Sequence, residues 1–365
     1  MSRDLFVDVV IPFRRWDAWT AESVRAALVL DPPCRRVTLV PDAPLETADW
    51  TAIRQMPGAE RVREMPSGPV NPGRKRNVAM AGSEADVFGF VDADARAWPD
   101  WLGRGLPHFA DAAVAIVGGP NLTPPEDDAR QKACGDVMAS PLGMGAAYIR
   151  HAPVSAREVE ELPTCNMLAR NLPELRFRPE LDTSEDMAFC GLARQMGQRV
   201  RYDPAVRVFH HRRRLGRSFW RQFCDYGVYQ GRRAAWKWLW RAAPLAFVLY
   251  LAGLAAALLL WPAGWRIWLL PLGGYALVIG AESLRLARGR PRGLGRLRRR
   301  RVHCDRHLVG IPARHIGRAG ARAAARQEAH GEKHAQQYDH NKQNTQKLFV
   351  AENQFKFAVV SASHV

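Results

Sequence analysis

The sequence predicts an α/β fold: a largely parallel sheet with helices interleaved along the chain, followed by C-terminal apolar helices. Three observations carry that expectation. Short β-branched or apolar runs at Val7–Phe13, Val37–Val40 and Val114–Val117 alternate with stretches of helical spacing. The run Val87-Phe-Gly-Phe-Val91 is apolar throughout, as suits a strand buried on both faces of a sheet. Past Gly231 the chain turns basic and aromatic, and then runs uncharged from Ala242 to Pro262.

Taken in order, Val7–Phe13 is a first strand ended by proline, and Ala18–Leu30 has apolar residues at helical spacing. Val37–Val40 is a second strand, so strand, helix and strand imply a right-handed parallel unit. Asp42 lies just beyond it, where a nucleoside could be met; a turn aspartate reads equally well. Pro69-Val-Asn-Pro-Gly leads into Arg74-Lys-Arg-Asn77 and a helix, placing N–H groups and cations where an anion would be held. A solvated basic helix end would also account for those charges.

The apolar run from Val87 then stops at Asp92-Ala-Asp94. Ligands of open α/β sheets gather at the carboxyl ends of strands, and two hard oxygen donors there suit Mg²⁺ or Mn²⁺ with a phosphorylated ligand. Alone, the motif also fits a turn with two solvated aspartates. From Asn121 to Glu161 the chain is rich in Pro, Gly and Met and weakly periodic, which predicts a long substrate-facing loop. Pro163–Arg170 reads as strand and turn. Ser184-Glu185-Asp186 opens a helix through Met196, with acidic residues suited to its first turn. Arg199 to His211 is extended and ends in a histidine doublet, a metal or phosphate partner or simply surface.

The 365 residues, 47% of them hydrophobic, allow one large domain and an appendage. A formal net charge of +17 points to an anionic partner: nucleic acid, a membrane surface or a phosphorylated substrate. No RNA-binding aromatic signature or DNA-reading motif is present, so nucleic acid is not expected. Six scattered cysteines without a C-x-x-C pair argue against a disulfide framework or zinc ribbon and fit a reducing compartment. No apolar signal-peptide core is expected ahead of the first strand.

These pieces together resemble the family-two glycosyltransferases, inverting enzymes of the GT-A fold. The resemblance rests on Val9-Val-Ile-Pro-Phe13, Asp42, Arg74–Asn77, Asp86 to Asp94, Ser184-Glu185-Asp186, His210 and Arg221-Gln222-Phe-Cys-Asp-Tyr-Gly227, in unbroken order over residues 7–230. It implies a nucleotide-diphosphate sugar donor held by Pro12, Asp42, Arg76, Asp92 and Asp94. It implies Mg²⁺ or Mn²⁺ on Asp94 and His210, and Asp186 as general base. Glu185, Asn166, Arg221 and Gln222 would contact the acceptor or support the site. Two departures matter. The acidic pair after the second strand is reduced to Pro41-Asp42-Ala43-Pro44, and the Gln-x-x-Arg-Trp of processive synthases is missing, so one sugar per binding event is expected. A non-catalytic, membrane-anchored sugar-nucleotide scaffold or sensor is the alternative.

The expected organisation is a GT-A domain over 1–230, a basic and aromatic juxtamembrane segment over 231–241, one or two transmembrane helices over 242–286 and a tail over 287–365. Ala242–Pro262 is long enough to cross a bilayer, and Ile267–Leu284 is a weaker second span. Arg232, Arg233, Lys237 and Arg241 before them, with Arg285, Arg288, Arg290 and Arg292 after, favour the cytoplasmic side. The expected location is therefore the inner, cytoplasmic membrane, with the enzyme domain facing the cytoplasm and a lipid-linked or cell-surface glycan as acceptor. The tail, including His303, Cys304 and His307, has no convincing pattern and is expected to be disordered.

Overall fold

The structure is a computed structural model that describes residues 5–214, 216–217, 219–224, 238–260 and 265–289. The expectations for Asp225-Tyr226-Gly227, for the segment 231–237 and for the tail from 290 lie outside the described residues.

Strands β1 (Val7–Pro12), β2 (Arg36–Val40), β3 (Val62–Glu64) and β4 (Val87–Phe90) alternate with helices α1 (Ala18–Leu28), α2 (Thr47–Arg54) and α3 (Pro72–Met80). Each helix start has a local cause. Asp17 accepts the Thr20 N–H, and Asn71 accepts the Arg74 N–H ahead of a proline in the first turn. The chain continues through β5 (Ala95–Ala97), α4 (Trp101–Gly105), β6 (Val114–Gly118) and β7 (Asn121–Leu122). Then come α5 (Ala129–Met138), α6 (Pro141–Met144), β8 (Arg157–Glu158), β9 (Met167–Arg170), α7 (Glu185–Gln195), β10 (Arg199–Tyr202) and β11 (Val208–His210).

The main sheet has the order β3-β2-β1-β4-β9-β6-β10-β8. Side chains alternate between its faces with the strand period of two. Val9 and Ile11 join Val24, Leu39, Ile53 and Trp101 on one face. Val10, Phe88 and Phe90 join Met80, Phe177, Phe189 and Tyr202 on the other. Helices thus cover both faces, which is why β1 and β4 read as unbroken apolar runs.

Two strands depart from the parallel expectation: β8 at the edge, antiparallel to β10, and β9 in the middle. β9 lies between β4 and β6 and runs antiparallel to both. The chain leaves β6 at its carboxyl edge, stays on that side through residues 121–166, and so can only re-enter in the opposite direction. Nothing in an apolar four-residue run reports its direction.

The irregular loop expected over 121–161 is also corrected, since much of it is helical. In α5 the buried residues are Gln131, Cys134, Gly135 and Met138, which is regular helical spacing. The pattern escapes notice because polar and small residues occupy the buried positions. Asp128 and Gln131 form the capping box that starts the helix.

Two further helices, α8 (Trp238–Leu260) and α9 (Trp265–Gly289), follow. Among the described residues the stretch long and apolar enough to cross a membrane is Arg266–Leu286, with mean hydropathy 1.5 and none of it buried. The apolar part of α8, Ala246–Ala257, is shorter. The sequence reading ranks the two the other way. The Ser140 hydroxyl donates to Glu282 of α9 at 2.6 Å, and Glu282 is also held by Arg285.

Candidate active site

The site forms where the carboxyl ends of β1, β2 and β4 meet the start of α7 and a second, small sheet. That sheet has the order β5-β11-β7, with His210 opposite Ala95 in an antiparallel register. The pairing carries His210 across 116 residues of sequence to Asp94, whose Oδ1 lies 3.1 Å from His210 Nε2. Carboxylate and imidazole atoms of Asp92, Asp94 and His210 lie within 4.8 Å of one another. Two carboxylates and one imidazole at that spacing fit a single hard divalent cation such as Mn²⁺ or Mg²⁺.

The electrostatics follow from this crowding. Burial pushes the Asp92 carboxyl up against the pull of Arg76. Burial works the same way on Asp94, but the charge and hydrogen bond of His210 outweigh it and hold the carboxyl below its usual range. Burial disfavours the charged form of His210, yet Asp94 prevails and keeps the imidazole protonated well above its ordinary value. In this state the imidazolium proton partly offsets the carboxylates.

Arg76 joins the two halves of the site. Its guanidinium is buried and donates to Asp92 Oδ1 at 2.7 Å and to Glu185 Oε1 at 2.9 Å, and it also feels the charge of Asp186. Phe177 packs its ring 5.5 Å from the guanidinium carbon. The end of β4 and the start of α7 are therefore gathered around one cation. Arg76 is expected from the sequence to meet the donor base or phosphates; instead its surface is spent on these two carboxylates. Next to it, the Asn77 side chain donates to the Phe177 carbonyl at 2.7 Å and accepts the Phe177 N–H at 2.9 Å. That reciprocal pair fixes the approach to α7.

Ser184, just before α7, has φ 61° and makes no side-chain cap bond. It is the one non-glycine residue at positive φ among the described residues, a strained conformation at the point where Glu185 and Asp186 enter the cleft. Burial drives the Asp186 carboxyl up to about 6, opposed chiefly by Arg150 and partly by the Met187 N–H, which donates to its Oδ1 at 2.8 Å. Arg150 itself pairs with Glu161.

On the nucleoside side, Asp42 follows β2 and pairs with Lys75, whose buried ammonium also donates to the carbonyls of Phe13 at 2.6 Å and Val40 at 3.2 Å. Burial lowers the Lys75 pKa more than Asp42 restores it. Lys75, which the sequence does not single out, thus ties the ends of β1 and β2 together and orients Asp42. Pro12 is buried at the end of β1, in register with Val40, so it shapes the strand end rather than offering a contact surface.

Asn166, expected to contact the acceptor or to support the site, faces the interior. It is fully buried, accepts from Trp101 Nε1 at 2.7 Å and donates to the carbonyls of Val206 at 2.8 Å and Pro120 at 3.2 Å. Every polar atom of its amide has an internal partner. Arg221, exposed, and Gln222, half-buried, lie in the helical segment 219–224.

No family model matches the chain. It is 29% identical over 231 residues to a pre-mycofactocin glycosyltransferase in two strains of Mycobacterium tuberculosis, a match covering 60% of this chain and 46% of the relative. The chain therefore spans about half the length of the curated relatives it matches. Among solved structures it superposes on a mannosyltransferase from Pyrobaculum calidifontis, in complex with GDP-Man and Mn²⁺, with a TM-score of 0.53 and 18% identity. That likeness covers 76% of this chain and 81% of the mannosyltransferase. The chain has the GT-A fold and is similar in sequence to a glycosyltransferase.

Proposed function

We propose that the chain is a membrane-anchored, inverting glycosyltransferase. It moves one sugar from a nucleotide-diphosphate sugar to a lipid-linked or cell-surface glycan acceptor, in or on the inner membrane with its site facing the cytoplasm. The observation that carries this reading is the Arg76 junction, which gathers Asp92, Glu185 and Asp186 around one guanidinium. GDP-Man and Mn²⁺ in the mannosyltransferase support a nucleotide-sugar donor and a divalent cation here.

Asp94, Asp92 and His210 would hold Mg²⁺ or Mn²⁺, which would offset the charge developing on the diphosphate as the nucleotide leaves. Asp42, oriented by Lys75, presents an acceptor oxygen to the nucleoside. Asp186 takes the proton from the acceptor hydroxyl as that oxygen attacks the sugar. A carboxylate titrating near 6 is ionised at neutral pH yet more basic than an ordinary aspartate, which suits that role. Inversion follows if base and leaving group lie on opposite faces of the ring. Arg76 and Glu185 keep the two sides in register without touching substrate.

The test is a thermal-shift screen of UDP-, GDP- and dTDP-sugars with and without Mn²⁺, followed by transfer assays. Asp186→Asn is expected to keep the ligand-induced shift and to lose transfer by at least about a hundredfold. Equal loss of both, with the fold intact, would remove Asp186 from the base role. Binding without turnover in the unsubstituted chain would leave the scaffold or sensor alternative.

A further inference from the structure

We infer that Asp127 is a positioning residue for the cation cluster, acting through His211 to hold His210 in place; this rests on the metal reading proposed above. A metal-bound histidine is ordinarily aimed by a hydrogen bond from its other ring nitrogen. For His210 that support is weak: its buried Nδ1 meets no nitrogen or oxygen partner among the described residues, and the group that interacts with the ring there is the soft thiol of Cys165. The ring must therefore be aimed through its backbone.

The residues that follow His210 supply the grip. The His211 N–H donates to the Asp94 carbonyl at 3.0 Å, clipping the end of β11 to the loop that carries the carboxylates. Asp127, whose side chain is 2% exposed, then uses both oxygens on two successive residues. Its Oδ1 accepts from His211 Nδ1 at 2.5 Å and its Oδ2 from the Arg212 N–H at 3.1 Å. Trp19 stacks on a face of the His211 ring with centroids 5.0 Å apart and planes 11° from parallel, and at the ring edge Glu22 Oε2 lies 3.5 Å from Nε2. Burying a carboxylate is unfavourable unless its partners compensate, and here both partners directly follow the candidate ligand in the chain.

Glu22, Glu126 and His211 are themselves close enough for a cation. Arg96 already pairs with both glutamates there, so that cluster is a buttress rather than a second metal site.

The test titrates Mn²⁺ alone against the full-length protein in detergent, read by the electron paramagnetic resonance signal of the free ion, with melting temperatures alongside. Asp127→Ala is expected to weaken Mn²⁺ binding about 10- to 100-fold. Asp127→Asn, which keeps an acceptor for only one of the two donors, should fall between. A purely structural Asp127 would lower the melting temperature and leave the affinity of the folded protein unchanged, so the two roles separate. Asp94→Asn is the control and should abolish binding. Unchanged affinity in Asp127→Ala, with Asp94→Asn impaired, overturns the inference and spares the metal reading. Unchanged affinity in Asp94→Asn overturns the metal reading itself. Should Asp127→Ala not fold, unchanged affinity in Asp127→Asn decides against the inference.

Discussion

Asp186 illustrates how much a single residue's surroundings decide. In the sequence, Glu185 and Asp186 are ordinary acidic residues of a first helical turn, favourable to the helix dipole. In the fold, burial raises the Asp186 pKa from 3.8 to about 6. The native state therefore binds this proton more tightly than the unfolded chain does. The resulting stability is present below about pH 4 and is lost as pH rises through about 6. Asp186→Asn, which cannot ionise, should thus melt higher than the parent chain near pH 8, and the gap should close near pH 4. Transfer by the parent should fall as pH drops through about 6, where the base becomes protonated. Melting curves and initial rates across that range check both. Asp92 and Asp94 were legible because their spacing after an apolar run is a local signal. Asp127 with His211, and Lys75 with Asp42, are not legible as pairs, because the first is brought together by the return of the chain through β11 and the second by the packing of α3 on β1 and β2.

The same contrast holds for elements. β1, β2, β4 and α1 follow from period and capping, and the structure has them where the residues place them. The direction of β9 and the helix α5 do not, the first because burial hides direction and the second because its inner face is polar and small. The turn between β6 and β7 is a related case. A Cβ at Gly119 would collide with the backbone carbonyl oxygens of Asp203 and Val206, neither of which can swing aside. Gly119→Ala should therefore destabilise the protein by about 1–3 kcal/mol, as overpacking of a dense interior does. Denaturant unfolding measures it. Cost within about 0.5 kcal/mol would mean that the turn relaxes freely, as surface sites do.

For the whole molecule, under the membrane anchoring proposed above, the charge of +17 and the apolar α9 would each hold the chain to a bilayer, but by different physics. Basic residues near an anionic surface contribute roughly 1 kcal/mol each and are screened by salt. A spanning helix is held by burial of its apolar surface, which salt does not weaken. The full-length protein is expected to stay with membranes through high salt and carbonate washes and to leave only with detergent. Release by salt alone would mean that charge, not Arg266–Leu286, holds it. Because β6 and β9 are hydrogen-bonded neighbours, with Gly118 opposite Met167, the stretch between those two residues starts and finishes at adjacent points on one rim. Extra residues can be set into it like a graft on rootstock, provided that Asp127 keeps its grip on His211 and β8 its place beside β10.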